Sequence, residues 1–394
     1  MSVHELALQR NKYKHLSDDE WRWFLQQVEG RERTADKLPT FAAKPDWWYP
    51  VRLSCEQCSS ELTARYKASL VHCTSSLCTF LDLTAGYGVD TYFLNEHFEH
   101  TDYVEQNAEL CRIAAHNFAD KSISIHNTTA EEFLQRTPYT VHPYDLIFLD
   151  PARRDSHGGK VFRLEDCTPN VVELLPTLLQ HLSPDGRILL KLSPMLDLTQ
   201  AIKELSIVHG TSSLCTLSWD IHIVAIKNEV KEFLLLSGGT GKITAIDLAK
   251  KEQAFVFTRE EEREASSLPI QGELEGAYLY EPNAAILKAG AYKLIAQRFG
   301  LTKLDTNTHL YTSDTLIDHF PGRVWKINAQ CTMHNAQISS ANVLTRNYPL
   351  TAEQLKKKLH LKDGGDTYVI GCRVNGKPTL FYAERIFSPE NLHN

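Results

Sequence analysis

Apolar, strand-like segments alternate with amphipathic, helix-like segments between residues 78 and 193, and this alternation restricts the possible folds more than any other feature of the chain. Five segments read as strands: TFLDLT (79–84), HTDYVEQ (100–106), SISIHN (122–127), YDLIFLD (144–150) and GRILLKLS (186–193). The helices between them are predicted near 89–98, 108–119, 129–135 and 169–182. Strands separated by helices of this length form βαβ units. The sequence therefore predicts an α/β fold with a mainly parallel sheet.

The segments on either side of this alternation indicate further regions. Residues 1–75 carry helical patterns, including SDDEWRWFLQQVEG, in which Ser17 can cap a helix. DIHIVAIKN (220–228) and VKEFLLLSG (230–238) predict an antiparallel hairpin at one side of the sheet, and TREEEREASSLP (258–269) reads as a surface linker. Near the end, RVNGKPTLFY contains an Asn-Gly hairpin signal. We predict four regions: 1–75, 76–265, 266–320 and 321–394.

Composition excludes some classes of protein. The 394 residues are 42% hydrophobic, yet no apolar run is long enough to span a bilayer, and the N-terminus lacks the apolar core of a secretory signal. We expect a cytoplasmic protein with no membrane partner. The net charge of −7 argues against nonspecific coating of nucleic acid, although residues 321–394 hold ten Lys or Arg against five Asp or Glu.

The nine cysteines are an odd number spread over a long chain, so we expect reduced thiols. Cys55 and Cys58 have the spacing of a metal knuckle, but no second pair follows at zinc-site distance, and we expect no metal. Cys111 and Cys167 lack the Pro-Cys context of a nucleophile and are predicted to be structural.

The turn after the first predicted strand, in DLTAGYGVD, carries two glycines. Gly86 and Gly88 would let the backbone approach a ligand, with N–H groups of the next helix directed at it. A dinucleotide site requires a third glycine where this chain has Thr91, which argues against a nicotinamide cofactor. Asp82 before the turn fits the pattern of an adenosyl-sulfonium site, in which an acidic residue faces the amino group of the ligand.

The second predicted strand ends in YVEQN, and Glu105 follows Gly88 by seventeen residues. A carboxylate there can accept hydrogen bonds from both hydroxyls of a ribose. The order of these parts resembles the class I S-adenosylmethionine-dependent methyltransferases, with DLTAGYG as motif I, YVEQN as the acidic loop and NTTAEEF beside adenine. The resemblance implies a Rossmann-like sheet and S-adenosyl-L-methionine as cofactor. The cofactor-binding residues it implies are Asp82, Thr84, Gly86, Gly88, Glu105, Gln106, Thr129, Ala130 and Asp150.

LDPARRD (149–155) follows the fourth predicted strand, the position nearest the transferred methyl group in this family. Members that methylate nitrogen often have Asp or Asn, then Pro-Pro and an aromatic residue. Here Asp150 and Pro151 match, whereas Ala152 and Arg153 differ, so the acceptor atom stays open. The resemblance implies that the catalytic segment comprises Asp150, Pro151, Ala152, Arg153 and Arg154. The two arginines suit a phosphate or carboxylate near the acceptor, or alternatively a salt bridge that holds the loop.

Two further segments, QCSSELTARYKA (57–68) and YLYEPNAAILKAGAY (278–292), extend the resemblance over most of the chain. They resemble bacterial methyltransferases with an N-terminal helical region, a class I core, a ferredoxin-like module and a small C-terminal α+β domain described as THUMP-like. By this resemblance Lys67 lies near the cofactor cleft and, with Arg153 and Arg154, would bind the charged surroundings of the acceptor, although an exposed position in solvent is equally compatible with the pattern. Lys356 and Lys357, in QLKKKLHLK, would bind RNA phosphates or be solvated only.

We therefore predict a cytoplasmic S-adenosylmethionine-dependent methyltransferase that modifies a nucleobase of structured RNA, either tRNA or rRNA. Two alternatives remain open. One is a methyltransferase that acts on a protein or a small anionic metabolite, and the other is a catalytically silent RNA-binding scaffold.

Overall fold

The computed structural model describes residues 3–71, 78–137, 143–153, 164–196, 198–206, 217–249, 254–269, 274, 276–331 and 338–386. The chain divides into two compact units. The first comprises Met1–Asp220 and Glu232–Thr240, and the second comprises Ile221–Lys231 and Gly241–Asn394. Among the described residues no helix is both long enough and apolar enough to cross a bilayer.

The first unit begins with a helical region, as predicted. Its helices are α1 Val3–Ala7, α2 Asp18–Thr34, α3 Pro39–Ala42, α4 Arg52–Gln57 and α5 Glu61–Ser69. The capping box predicted for α2 is present, because Ser17 Oγ accepts from the Glu20 N–H while the Glu20 carboxylate accepts from the Ser17 N–H. Trp21 on this helix is buried.

The remainder of the first unit is the α/β core. Its elements are β1 Thr79–Asp82, α6 Val89–Leu94, β2 His100–Val104, α7 Ala108–Asn117, β3 Ile123–His126, α8 Ala130–Arg136, β4 Tyr144–Leu149, β5 Ala152–Arg153, β6 Cys167–Thr168, α9 Val171–Gln180, β7 Leu182–Leu192 and α10 Leu198–Ser206. The five predicted strands are all found, as β1, β2, β3, β4 and β7. The short pair β5 and β6 was not predicted.

The core strands form a parallel sheet in the order β7-β4-β1-β2-β3. β4 is almost wholly buried, as an apolar strand covered on both faces must be. The winding reverses at β1, since β2 and β3 lie on one side of it and β4 and β7 on the other. In open α/β sheets a ligand crevice forms at such a switch point, beyond the carboxyl ends of the strands.

The hairpin predicted after this sheet corresponds to β8 Trp219–Ile226 and β9 Glu229–Ser237. Lys227 and Asn228, at the turn between them, both have positive φ, as a two-residue hairpin turn requires. In the first unit β9 continues the core sheet, because Leu236 pairs antiparallel with Leu189 of β7. In the second unit β8 pairs with β10 Ile243–Asp247, and β10 pairs with β11 Phe255–Phe257.

The second unit also contains an eight-stranded sheet. Its elements are α11 Arg259–Glu264, β12 Leu268–Pro269, β13 Tyr278–Pro282, α12 Ala284–Ala289, α13 Leu294–Phe299, β14 Thr302–Asp305, β15 Thr308–Ser313, β16 Gly322–Cys331, β17 Asn342–Arg346, α14 Ala352–Lys358, β18 Thr367–Val374 and β19 Lys377–Ile386. The strand order is β12-β14-β15-β13-β16-β19-β18-β17. Strands from both sides of residue 320 therefore share one sheet. The predicted Asn-Gly turn joins β18 to β19.

One part of the second unit corrects the sequence interpretation. The segment TREEEREASSLP, expected to be a surface linker, forms helix α11 with a capping box between Thr258 and Glu261. Its Glu262 carboxylate accepts hydrogen bonds from the N–H groups of Lys293 and Leu294 at the start of α13. A carboxylate there satisfies N–H groups that have no partner within the helix.

Candidate active site

The turn between β1 and α6 uses its two glycines in different ways. Gly86 has a φ of +58°, and a Cβ added there would meet only the Thr84 carbonyl oxygen, at 3.9 Å. Its backbone is therefore open to a ligand. Gly88 has a φ of +81°, and a Cβ there would lie 2.6 Å from Phe118 Cζ. Gly88 is thus required for packing, whereas Gly86 leaves space for a neighbour.

Asp82, the last residue of β1, stabilises this turn through hydrogen bonds to its side chain. Its side chain is fully buried and accepts hydrogen bonds from Thr91 Oγ1 at 2.6 Å and from the Thr84 N–H at 3.1 Å. Burial raises the pKa of Asp82 to about 8. The carboxylate is not among the groups that line the cavity described below. The expectation that it faces a ligand stays a prediction, and its observed contacts fix the loop.

Glu105 follows β2 and stands beside the glycine turn. Its Oε2 accepts a hydrogen bond from the Gly86 N–H at 3.0 Å, and its Oε1 accepts one from the Asn107 N–H at 2.7 Å. These bonds orient the carboxylate while lone pairs on both oxygens remain for further donors. Sequence spacing suggested that Glu105 and Gly86 are neighbours, and the structure brings them into direct contact.

A cavity of about 300 Å³ lies at the carboxyl ends of β1, β2 and β4. This volume is at the lower end of the range of small-molecule sites. The predicted residues that line it are Thr84, Gly86, Gly88, Glu105, Gln106, Thr129, Ala130, Asp150 and Ala152. Thr129 caps α8 by accepting from the Glu132 N–H, so its position is fixed by the start of that helix.

These residues fit an adenosyl cofactor. The open backbone at Gly86 gives the close approach that such a ligand needs, and Glu105 presents oxygens to hydroxyl donors. Thr129 and Ala130 supply a small, partly apolar wall suited to an adenine ring. Asp90, at the start of α6, adds a second carboxylate that suits a cationic group.

Asp150 is held at the end of β4 by two contacts. Its backbone N–H donates to Thr84 Oγ1 at 2.6 Å, and its carboxylate forms an ion pair with Lys191 of β7. The side chain is 37% exposed. Desolvation in the cavity raises the pKa of Asp150, although the ammonium of Lys191 opposes this shift. Pro151 is buried, and Ala152 pairs with Thr168 through β5 and β6.

Among the other predicted residues, Lys67, Lys356 and Lys357 do not line the cavity. Arg153 contributes its backbone to β5, but its side chain, like the whole of Arg154, lies outside the described residues. Lys67 is completely buried, and its ammonium lies 3.1 Å from a carboxylate oxygen of Asp90, which lines the cavity. Its predicted role in substrate binding stays a prediction. Lys356 and Lys357 lie on α14 of the second unit, where Lys356 pairs with Asp363.

Several residues that line the cavity were not predicted. Cys58 and Ser59 come from the segment between α4 and α5, and Asp90 comes from the first turn of α6. Lys191, which does not line the cavity but pairs with Asp150, was also missed. One signal could have found it, because it is the single charged residue in the apolar run ILLKL. A lysine in a buried strand needs an anionic partner, and Asp150 is that partner.

The cysteines correct one expectation. Cys55, Cys58, Cys111, Cys167 and Cys372 are free thiols, whereas Cys78 is disulfide-bonded, so the expectation of reduced thiols is wrong for Cys78. Burial raises the pKa of Cys55 to about 12 and also raises the pKa of Cys111. A high thiol pKa disfavours the thiolate that nucleophilic attack requires.

Comparison with known proteins gives three kinds of result. Residues 278–321 match a family model described as a ferredoxin-like domain, and residues 316–385 match one described as THUMP domain-like. The crystal structure of a candidate methyltransferase from Porphyromonas gingivalis W83 is 31% identical and has a TM-score of 0.81, covering 94% of this chain and 92% of that one. No curated protein matches the sequence.

Two other solved structures are more distant. An rRNA methylase from Streptococcus thermophilus is 13% identical over 45% of this chain and 93% of that one, with a TM-score of 0.30. A candidate methyltransferase from Streptococcus mutans, in complex with SAH, is 13% identical over 45% of this chain and 95% of that one, with a TM-score of 0.32. Scores this low support no inference about this chain.

Proposed function

Because the chain belongs to the bacterial family of class I methyltransferases with a ferredoxin-like module and a C-terminal THUMP-like domain, we propose that it transfers a methyl group from S-adenosyl-L-methionine to a nucleobase of structured RNA. One observation carries the proposal. Asp150 lines the same cavity as Glu105 and the Gly86 turn, so a group positioned by Asp150 would share a compartment with the cofactor.

The cofactor would be held by Gly86, Glu105, Thr129 and Ala130, with the hydroxyls of its ribose donating to Glu105. When bound, it supplies a methyl group activated by a sulfonium. This chemistry depends mainly on alignment of the acceptor lone pair with the methyl–sulfur bond. The hydrogen bond from the Asp150 N–H to Thr84 Oγ1 suits this requirement, because it limits movement of the residue that orients the acceptor.

Asp150 would accept a hydrogen bond from an amino group of the acceptor base and take the proton that the methylated nitrogen releases. Its raised pKa makes the carboxylate a better proton acceptor than an ordinary aspartate. The ion pair with Lys191 would hold the carboxylate in one orientation. The backbone carbonyl of Ala152, which follows on the cavity wall, is the second group proposed to orient the base.

RNA is proposed as the substrate class for two reasons. Residues 316–385 match the THUMP domain-like model, and THUMP domains are associated with RNA. The excess of basic residues in 321–394 has the sign that binding to phosphates requires. The paired arginines Arg153 and Arg154 are proposed, from the sequence alone, to contact phosphates beside the acceptor base.

The test is transfer of a radiolabelled methyl group from S-adenosyl-L-methionine to RNA and, separately, to protein, each extracted from cells that lack the gene. Wild type, Asp150→Asn and the exposed control Asp185→Asn are compared. We expect label in ribonuclease-sensitive material with wild type and Asp185→Asn, and at least a hundredfold less with Asp150→Asn, the usual scale for a lost proton-transfer residue.

Circular dichroism checks that Asp150→Asn is folded, and calorimetry measures cofactor binding by each protein. Label in protein alone would overturn the proposed substrate and favour the protein methyltransferase. Absence of label in both RNA and protein, despite cofactor binding, would overturn the proposed RNA activity and favour a small-molecule acceptor or a silent scaffold.

A further inference from the structure

Five charged side chains form what we call the buried charge cluster: the buried Lys67, Asp90 and Glu232, and the ion pair of Lys191 with the partly exposed Asp150. Two of them, Asp90 and Asp150, line the cavity. Lys67 Nζ lies 3.1 Å from Asp90 Oδ1 and 2.6 Å from Glu232 Oε2. The Asp150 carboxylate pairs with Lys191, whose pKa is lowered by burial but raised more strongly by Asp150, Glu232 and Asp90. The two groups of side chains therefore act on one another.

The buried charge cluster is not neutral. It contains three carboxylates and two ammonium groups, which leaves one negative charge in excess. The side chains of Lys67, Glu232 and Asp90 are 0%, 6% and 10% exposed. An uncompensated charge at such positions is costly, because water and salt screen it poorly.

Among Lys67, Asp90 and Glu232, Asp90 is the residue that borders the cavity, so a ligand there would interact with the excess charge through Asp90. Asp90 lines the cavity, and its Oδ1 is buried and accepts no hydrogen bond from the described residues, although the ammonium of Lys67 lies 3.1 Å from it. Its Oδ2 accepts a hydrogen bond from Ser59 Oγ at 2.6 Å. A cation in the cavity would therefore meet a carboxylate that is only partly compensated.

We propose that the buried charge cluster makes the site select a cationic cofactor over its neutral demethylated product. This inference rests on the proposed function. S-adenosyl-L-methionine carries a sulfonium, an ammonium and a carboxylate, and so has a net charge of +1. In the transfer, the electron pair of the methyl–sulfur bond stays on sulfur, the methyl group joins the acceptor, and the remaining S-adenosyl-L-homocysteine is neutral overall.

The consequence is that methyl transfer removes the charge that balances the cluster. The substrate cofactor is held by attraction in a cavity of low dielectric, whereas the product loses that attraction as soon as it forms. Glu232 and Lys67 take part through the total charge, since neither lines the cavity. The cluster would thus promote exchange of spent for fresh cofactor.

The test measures Kd for S-adenosyl-L-methionine, S-adenosyl-L-homocysteine and sinefungin, which has an amine in place of the methylsulfonium. The full-length chain is used as wild type, Glu232→Gln and the double variant Lys67→Met with Glu232→Gln. The single substitution removes the excess charge without removing a group that lines the cavity, and the double substitution restores the excess by deleting one cation.

Wild type should bind both cationic ligands at least tenfold more tightly than S-adenosyl-L-homocysteine, which corresponds to about 1.4 kcal/mol. Glu232→Gln should reduce this preference about tenfold, and the double variant should regain it. Equal affinity of wild type for all three ligands would overturn the inference without any variant, so the test does not depend on whether Glu232→Gln folds. A preference unchanged in Glu232→Gln would also overturn it.

Failure of the proposed function gives a different result. If the cofactor assignment is wrong, wild type binds none of the three ligands, and if only the RNA assignment is wrong, wild type still shows the preference for the cationic ligands. Glu105→Gln serves as the matched control. Its proposed contact is to hydroxyls that all three ligands share, so it should weaken all three by a similar factor and leave the preference unchanged.

Discussion

Asp82 is the residue whose burial has the clearest consequence for stability. Its pKa is raised from 3.8 to about 8 by burial, so the folded protein keeps this proton where the unfolded chain has released it. The native state then binds more protons than the unfolded state, and stability falls as pH rises between these two values. Asp82→Asn should remove this dependence.

The free energy of unfolding of wild type should therefore decrease relative to that of Asp82→Asn between pH 5 and pH 8, by at most about 1.4 kcal/mol per pH unit. Urea unfolding at pH 5, 6.5 and 8 measures this difference. The free energy of unfolding of Asp185→Asn, a variant at an exposed position, should change with pH as that of wild type does. If Asp82→Asn also ran parallel to wild type, the carboxyl would be ionised in the folded protein.

Some residues of the candidate site could be predicted from the sequence, whereas the contacts of others could not. Gly86 and Glu105 were predicted because strand ends and turn glycines are local signals. The hydrogen bonds that Asp82 accepts from Thr84 and Thr91 were not, since a strand covered on both faces gives no alternation from which a facing direction can be read. Ser59 meets Asp90 only because the segment before α5 packs against α6, and Lys191 meets Asp150 only because β7 pairs with β4. No local pattern in the sequence records these meetings.

At the scale of elements, the turn from β1 to α6 separates a packing role from a ligand-binding role. Gly88→Ala would place Cβ 2.6 Å from Phe118 Cζ at a positive φ, whereas Gly86→Ala has a positive φ but open space. We expect Gly88→Ala to cost roughly 2–4 kcal/mol, from backbone strain together with overpacking. Gly86→Ala should cost about 1–2 kcal/mol, from strain alone.

Urea unfolding of both variants measures these losses of stability, and calorimetry with S-adenosyl-L-methionine measures how each variant binds the cofactor. Gly86→Ala should weaken cofactor binding more than its small loss of stability would suggest, because the added methyl group occupies the side open to the ligand. Equal losses of stability in the two variants would contradict the assigned packing role of Gly88.

Longer elements were predictable and short ones were not. The strands β1, β2, β3, β4 and β7 each follow an apolar run with a helical segment between neighbours, and their parallel arrangement follows from that alternation. The pair β5 and β6 has two residues in each strand, too few for any period to be visible. Helix α11 was missed because its charged residues outweighed the capping-box signal at Thr258.

At the scale of the whole molecule, charge is distributed unevenly along the chain. The net charge is −7, yet residues 321–394 carry a basic excess. Within the second unit, the strands matched by the ferredoxin-like and THUMP domain-like models lie in one eight-stranded sheet. The division predicted at 320/321 stays a prediction, and sequence patterns could not foresee the shared sheet because strand pairing across that point is not local.

The basic excess leads to a prediction about RNA binding. Lys357 and Lys358 are exposed in the last turn of α14, whereas Lys356 is already paired with Asp363. If the exposed pair contacts phosphates, Lys357→Ala with Lys358→Ala should reduce affinity for structured RNA. It should also flatten the slope of log K against log salt concentration by roughly 0.9 for each lost contact, because fewer counterions are released.

Filter binding or fluorescence anisotropy with total tRNA and an rRNA fragment measures the affinity and its salt slope. The salt concentration runs from about 50 to 200 mM, because phosphate contacts change affinity strongly over that range. The matched control is Lys12→Ala with Lys14→Ala, which removes two exposed lysines from the N-terminal helical region and leaves the charge count equal. Cofactor affinity should be the same in both double variants. If both variants lowered RNA affinity equally with parallel salt slopes, net charge would account for binding. If only the α14 variant changed the slope, its lysines would lie on the path of the RNA backbone.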